Sequence, residues 1–177
     1  PDPELVGRGV LVVDAEDMWT QMLAHQLRHL GLDARVTRWE AATPDDMGEP
    51  DLVLFGPGPG DPGDADDPRM SRLRELIGAR LGAGGPLLAV CLSHQVLAGM
   101  AGLQIAKLPA PNQGVQIEVD LWGTPARIGF YNTFVAQPGP AQLERAGAAV
   151  PLEIAAHPQH GVVALRGPGV ATIQGHA

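Results

Sequence analysis

The 177-residue sequence holds one cysteine, Cys91, inside the segment AVCLS at residues 89–93. A lone thiol serves either as a small apolar filler or as a nucleophile, and residue type alone leaves both readings open. Its setting sharpens the second. The apolar run PLLAV at residues 86–90 ends on the cysteine, and a helical pattern carried by Val96, Leu97, Met100 and Leu103 follows at once. Strand, tight turn and helix form the setting of a nucleophile elbow. There the helix dipole favours thiolate over thiol, and the unpaired N–H groups of the first turn can hold an oxyanion. Ala89 and Ser93 stand where such turns commonly carry glycine, so strain is expected in the turn.

A second candidate is the stretch GPGPGDP at residues 56–62, which follows the apolar run DLVLF. Its glycines let backbone N–H groups approach a ligand with no Cβ in the way, and the same stretch also reads as a plain connector. It is not a P-loop, since no Gly-Lys-Ser/Thr follows. Asp61, Asp64, Asp66 and Asp67 lack the spacing of a calcium loop and read as a solvated loop. Among the histidines, His25 and His29 stand four apart on a predicted helix and read as a solvated face rather than a metal pair. His94 is too close to Cys91 along a helix to serve as its base. His157 and His160 read as loop residues, while His176 follows the strand-like run at residues 170–174 and so sits at another strand end.

The elements that must position these residues alternate. GVLVVD at residues 9–14 is a continuous apolar run of the kind buried on both faces of a parallel sheet. Met18, Met22, Leu23, Leu27 and Leu30 recur at helical spacing, with Gly31 as the C′ residue. Short strands are expected at 34–39 and 51–55, a helix through Leu73, Leu76, Ile77 and Leu81, then the strand at 86–90 and the helix after Cys91. Beyond residue 104 the strand-like pieces 115–121, 126–130 and 162–165 suggest an antiparallel hairpin and return strands. The fold class is therefore α/β: an open, mostly parallel central sheet with helices on both faces plus a small antiparallel sheet. In such sheets ligands bind outside the carboxyl ends of the strands, where Cys91 and the GPGPGDP stretch fall.

Composition bounds the rest. The length suits one domain, residues 1–177. Its 23 glycines and 17 prolines fall short of the roughly 25–30% that marks disorder, so tight turns are expected. A net charge of −8 with only 12 scattered Lys and Arg argues against nucleic acid. No apolar run approaches the roughly 18 residues of a membrane span and no signal peptide opens the chain, so the expected location is the cytoplasm. A single cysteine excludes an internal disulfide and a thiolate-rich metal site. The first residue is Pro1 rather than Met and the last, Ala177, follows a Gly-His pair, so a piece of a longer synthase is expected.

Taken together, AVCLSHQVLAGMAGL resembles the nucleophile motif of the class I glutamine amidotransferases, FGPGPGDP their oxyanion and glutamine-binding loop, and QGHA the start of their His-x-Glu motif. The resemblance, in order and spacing, runs from the first strand to the last residue. It implies Cys91 as nucleophile and His176 as the activating base. It implies backbone N–H groups of Gly58 and Leu92 as the oxyanion hole, with Pro59 and Gly60 completing the loop and Gln95 holding substrate. GFYNTF at residues 129–134 resembles the family's Arg-Tyr-His-Ser-Leu stretch, which makes Thr133 and Phe134 candidates for the amino-acid end of glutamine; Asn132 replaces the usual histidine. The family's glutamate belongs two residues after His176, beyond Ala177.

Within the family, CLSHQ, PNQGVQ and GFYNTF resemble most the glutaminase half of the 2-amino-2-desoxyisochorismate synthases of phenazine-type pathways. The near relatives are the glutaminase components of anthranilate synthases, which usually carry Gly at the position of Ser93 and a His-Gly-Lys segment near 112–115. The resemblance implies L-glutamine as substrate, no cofactor or metal in this domain, and a chorismate-utilising synthase domain as partner, fused or separate. Mg²⁺ is expected in that partner, and the full synthase is expected to be a dimer. Two other readings stay open: a non-catalytic docking domain of the same fold, and a cysteine hydrolase acting on γ-glutamyl or peptide bonds.

Overall fold

The computed structural model describes residues 2–176. Its first strand, β1 (Gly9–Asp14), has Val10 to Val13 buried, and this is why the run is continuous rather than alternating. β1 lies parallel to β2 (Asp33–Arg38) on one side and to β3 (Leu52–Phe55) on the other. The crossover between β1 and β2 is α1 (Trp19–His29). It ends as its sequence predicts: Gly31 takes φ 99°, Leu32 N–H reaches back to Leu27 O (3.2 Å), and Gly31 N–H to Arg28 O (3.0 Å). These are the two bonds of a Schellman cap.

α2 (Pro68–Ala83) starts with Pro68 behind the N-cap Asp67, whose carboxylate accepts from Arg69 N–H at 2.8 Å, and stops at Gly84 in the left-handed region. β4 (Leu87–Val90) lies parallel to β3 and leads into α3 (Leu92–Met100). β5 (Ile105–Leu121) and β6 (Thr124–Ala136) form a long antiparallel hairpin. Its turn, Trp122 and Gly123, has φ positive at both residues, the twist that hairpins favour. β7 (Gln142–Arg145) and β8 (Ala148–Pro151) form a second, small hairpin. β9 (Glu153–His157) and β10 (Gly161–Gly167) run antiparallel, and β11 (Val170–Ile173) returns parallel to β4.

The central sheet has the order β2-β1-β3-β4-β11-β10-β9, with its first five strands mutually parallel. α1 packs Leu23, Ala24 and Leu27 on one face against Val10, Val12 and Leu54. α2 and α3 pack Met70, Leu73, Leu92, Val96 and Leu97 on the other against Leu11, Val13, Phe55 and Ala89. Helices on both faces and a mostly parallel sheet agree with the sequence. Four details differ. There are two small antiparallel sheets rather than one; the large hairpin spans 105–136 rather than 115–130; β7 to β9 and a short 3-10 turn at Pro44–Met47 are four or five residues long and bury at most one residue each, so they do not stand out; and His157 belongs to β9.

Register matters most at one end. Phe55 pairs with Ala89, and Val90 pairs with Ile173, so the chain leaves β3, β4 and β11 side by side, at Gly56, Cys91 and Gln174.

Candidate functional site

Cys91 sits at φ 53° and ψ −107°, a conformation that costs any residue with a Cβ. The surroundings hold it there. Its N–H continues the β4–β11 ladder onto Ile173 O at 2.9 Å, and the neighbours two residues either side, Ala89 and Ser93, are fully buried. The expected strain is present, and small residues suffice where glycine is usual. Ser93 adds a contact that glycine lacks, its hydroxyl donating to Gly56 O at 2.6 Å.

The loop after β3 is fixed as tightly. A Cβ on Gly58 would collide with the carbonyl of Ala15, so only glycine fits. Arg69 holds the loop from below: its guanidinium donates to Ala15 O (3.0 Å) and Pro59 O (2.6 Å) and pairs with Asp67 and Glu16, both at 3.3 Å.

Between this loop, the start of α3 and the near edge of β6 lies a cleft of about 330 Å³. Gly58, Pro59, Gly60, Cys91, Leu92, Gln95, Thr133 and Phe134 all line it, so eight of the nine residues singled out in the sequence come together. Tyr131 and Asn132 join them, and so does Asp61, which the sequence reads as loop only. The ninth, His176, does not line it. Its backbone bridges Gly129 by two hydrogen bonds (2.8 and 3.1 Å), and its ring lies edge-on to Tyr131 at 5.9 Å and 6.2 Å from Trp19. It faces instead a smaller apolar cleft on the α1 side, with Leu23, Leu27 and Ile173.

The thiol's partners are Tyr131 O, to which it donates at 3.8 Å, and Gln174 Nε2, which donates to it at 3.7 Å. Burial pushes the Cys91 thiol up to about 12, against the smaller opposing pulls of the Leu92 N–H and the Gln174 amide. The sequence argument that the helix start favours thiolate is thus corrected: the N–H groups are in place, but desolvation outweighs them. His176 is lowered from the ordinary histidine value by burial, with Asp17 opposing. In this arrangement both groups are neutral near pH 7, and no hydrogen bond joins them.

His94 is not a base, as its position implied. It is fully buried, with Nδ1 2.7 Å from Thr172 Oγ1 and Nε2 3.2 Å from Val162 O. Since Val162 O can only accept, Nε2 carries the proton. His25 and His29 lie on the exposed face of α1 with their Nε2 atoms 2.9 Å apart. Among the described residues no three His, Cys, Asp or Glu side chains gather as a metal site, and no helix is long and apolar enough to cross a membrane. Ala177, the last residue of the QGHA stretch, lies outside the described residues.

The sequence profile of the family described as glutamine amidotransferase class-I matches residues 11–176. The chain belongs to the class I glutamine amidotransferases. Over 97% of its length it is 45% identical to "Anthranilate synthase, phenazine specific" of Pseudomonas chlororaphis and, again over 97%, 46% identical to the protein of the same name in Pseudomonas fluorescens. It spans 26% of each of those proteins, about a quarter of their length. The crystal structure of a glutamine amidotransferase from Thermotoga maritima superposes with a TM-score of 0.71 at 15% identity, covering 96% of this chain and 75% of that one. That likeness is one of fold. Within this amidotransferase domain, sequence reasoning missed Gln174. A polar residue directly after a strand is a weak signal, and its contact with Cys91 exists only once β11 lies beside β4.

Proposed function

We propose that this chain is the glutaminase part of a chorismate-aminating synthase of the phenazine type, hydrolysing L-glutamine and passing ammonia to a synthase domain. The observation that carries the reading is Cys91, held in a strained turn at the head of a cleft that the GPGPGDP loop and residues 131–134 close on two sides. The likeness to phenazine-specific anthranilate synthases over nearly the whole chain supports the choice of pathway.

A carboxamide is a weak electrophile with a poor leaving group, so the reaction is divided in two. His176 takes the thiol proton, Cys91 sulfur attacks the amide carbon as the thiolate, and the resulting oxyanion is held by the N–H groups of Gly58 and Leu92. His176 protonates the departing nitrogen, the C–N bond breaks, and ammonia leaves a thioester. Water then attacks that carbon, His176 takes its proton and passes it to the departing sulfur, and the C–S bond breaks to give glutamate and free thiol. Gln95 spends both N–H bonds of its amide on Phe134 O (2.7 Å) and Gln174 Oε1 (2.9 Å), which leaves its own carbonyl oxygen to accept from the substrate. Reaching Cys91 requires the His176 ring to leave its contacts with Tyr131 and Trp19. Nothing in these steps needs a metal or cofactor in this domain; Mg²⁺ belongs to the chemistry of the chorismate-utilising partner, and the dimer to the full synthase.

The test is the full-length synthase with chorismate. Cys91→Ala is expected to abolish amination with glutamine while leaving amination with ammonium salts intact; loss of both, or of neither, would overturn the assignment. Release of pyruvate with an aromatic product would move the chain to the anthranilate branch.

A second reading, a docking domain with an idle site, is favoured by the protonated thiol and the missing Cys91–His176 bond. A glutamine-shaped chloroketone separates the two. An active site labels Cys91 in the full synthase, and an idle one does not.

A further inference from the structure

The side chain of Gln174 is fully buried, one residue past the end of β11 and two before His176. Its Nε2 stands 3.7 Å from Cys91 Sγ and its Oε1 2.9 Å from Gln95 Nε2. The orientation of these two amides is fixed from outside. Gln95 Nε2 also lies 2.7 Å from Phe134 O, a carbonyl that can only accept, so the NH₂ group of Gln95 must point inward. Its second N–H then needs an acceptor, which is Gln174 Oε1. The NH₂ group of Gln174 is left facing the sulfur. The relay runs from the Phe134 carbonyl through two amides and ends on a donor.

We propose that Gln174 is a further catalytic residue of this site, a neutral N–H donor to Cys91 that stabilises the thiolate over the thiol. Its use in catalysis rests on the glutaminase reading. A hydrogen bond to the charged form favours that form, and roughly doubles in strength when the acceptor is ionised. The need is specific to this site. The thiol proton is directed at Tyr131 O, and once that proton has gone the carbonyl opposes the sulfur's charge. The Gln174 amide is the side-chain contact that gains, beside the backbone N–H of Leu92. Glutamic acid at 174 would keep the shape and present a second anion; methionine would keep the volume and present nothing.

The experiment uses the full-length synthase and follows alkylation of Cys91 by iodoacetamide across pH, read on the Cys91 peptide by mass spectrometry. Gln174→Glu is expected to move the midpoint of that profile up by a unit or more, about tenfold slower alkylation below the midpoint, and Gln174→Met by less. A purely packing role leaves the midpoint in place in both, which would overturn the proposal. Should both variants fail to fold, Gln95→Met decides. It removes the group that orients Gln174, so the midpoint should again rise, and an unmoved midpoint in a folded Gln95→Met enzyme would overturn the proposal equally. Wild-type enzyme is treated with the chloroketone in parallel. Labelling with an unmoved midpoint removes the role of Gln174 and leaves the glutaminase reading standing, while a raised midpoint without labelling does the reverse.

Discussion

The Ser93 hydroxyl donates a 2.6 Å hydrogen bond to the carbonyl oxygen of Gly56, and both groups are buried. One bond thereby ties the first turn of α3, which carries the nucleophile, to the first residue of the loop that carries Gly58. Ser93→Ala would leave that buried carbonyl without this donor, at a cost of about 1–3 kcal/mol. The expected result is a melting temperature lower by about 3–10 °C, from the usual few degrees per kcal/mol in a domain of this size. An unchanged melting curve would show that water or a shift of the loop replaces the bond.

The buried thiol gives the domain an alkaline weakness. Cys91 is pushed up to about 12 in the folded chain by desolvation, whereas an unfolded thiol ionises near pH 8.5. The folded-state value is the higher one, so the neutral thiol's contribution is fully present below about pH 8.5 and declines as pH rises toward the folded value. Denaturant midpoints should therefore fall from pH 8.5 upward, and Cys91→Ala should flatten that fall.

His94 gives the opposite signature on the acid side. Burial lowers it to about 4, while the unfolded residue titrates near 6.5. Its folded value is depressed, so stability is intact above about pH 6.5 and is lost as pH falls through the window down to about 4. In the wild type, urea midpoints should drop across that window, and His94→Gln should remove much of the dependence while costing stability at pH 7. A variant that keeps the full slope would assign it to other groups.

How much of this was legible in the sequence depends on what each element buries. β1 and β4 lie between helices on both faces, so their apolar runs are unbroken and announce themselves. The outer parts of the long hairpin do not, because residues 107–116 are exposed or half-buried and include Pro109, Pro111 and Gly114. A strand with little to bury leaves little apolar pattern. In the site, Cys91 and the Gly58 loop were visible because each follows an apolar strand and each needs an unusual backbone. Gln174 was not, since its role comes from strand order, which brings β11 beside β4. His176 was placed correctly at a strand end, yet its backbone pairing with Gly129 turns the ring toward Tyr131 and Trp19 rather than Cys91.

Arg80 separates stability from chemistry. Its guanidinium is buried without a carboxylate partner and donates instead to Met47 O (2.7 Å), Pro50 O (2.9 Å), Asp51 O (3.2 Å) and Pro86 O (3.0 Å). These carbonyls lie before β3 and β4, at the end of the sheet away from Cys91. Burial lowers the guanidinium from its usual value, but arginine stays charged, and hydrogen bonds to a charged donor are the stronger kind. Arg80→Met strips donors from buried carbonyls and should cost about 3 kcal/mol or more, visible as a large drop in the denaturation midpoint. The alkylation profile of Cys91 in the folded variant should match wild type.

Gly58→Ala tests the chemistry of the loop after β3. The added Cβ would meet the carbonyl of Ala15, a backbone atom that β1 and Arg69 both hold in place, so the loop has to give way rather than its neighbour. Gly58 supplies one of the two proposed oxyanion donors, and removing one such donor typically costs about 10²–10³ in kcat. The clash is with backbone rather than with the end of a flexible side chain, so the melting temperature should fall as well. Glutamine-dependent turnover of the full synthase should fall by about that factor while ammonia-dependent turnover persists. If glutamine turnover survives the substitution, the oxyanion is held elsewhere, and Leu92 with another N–H becomes the pair to test.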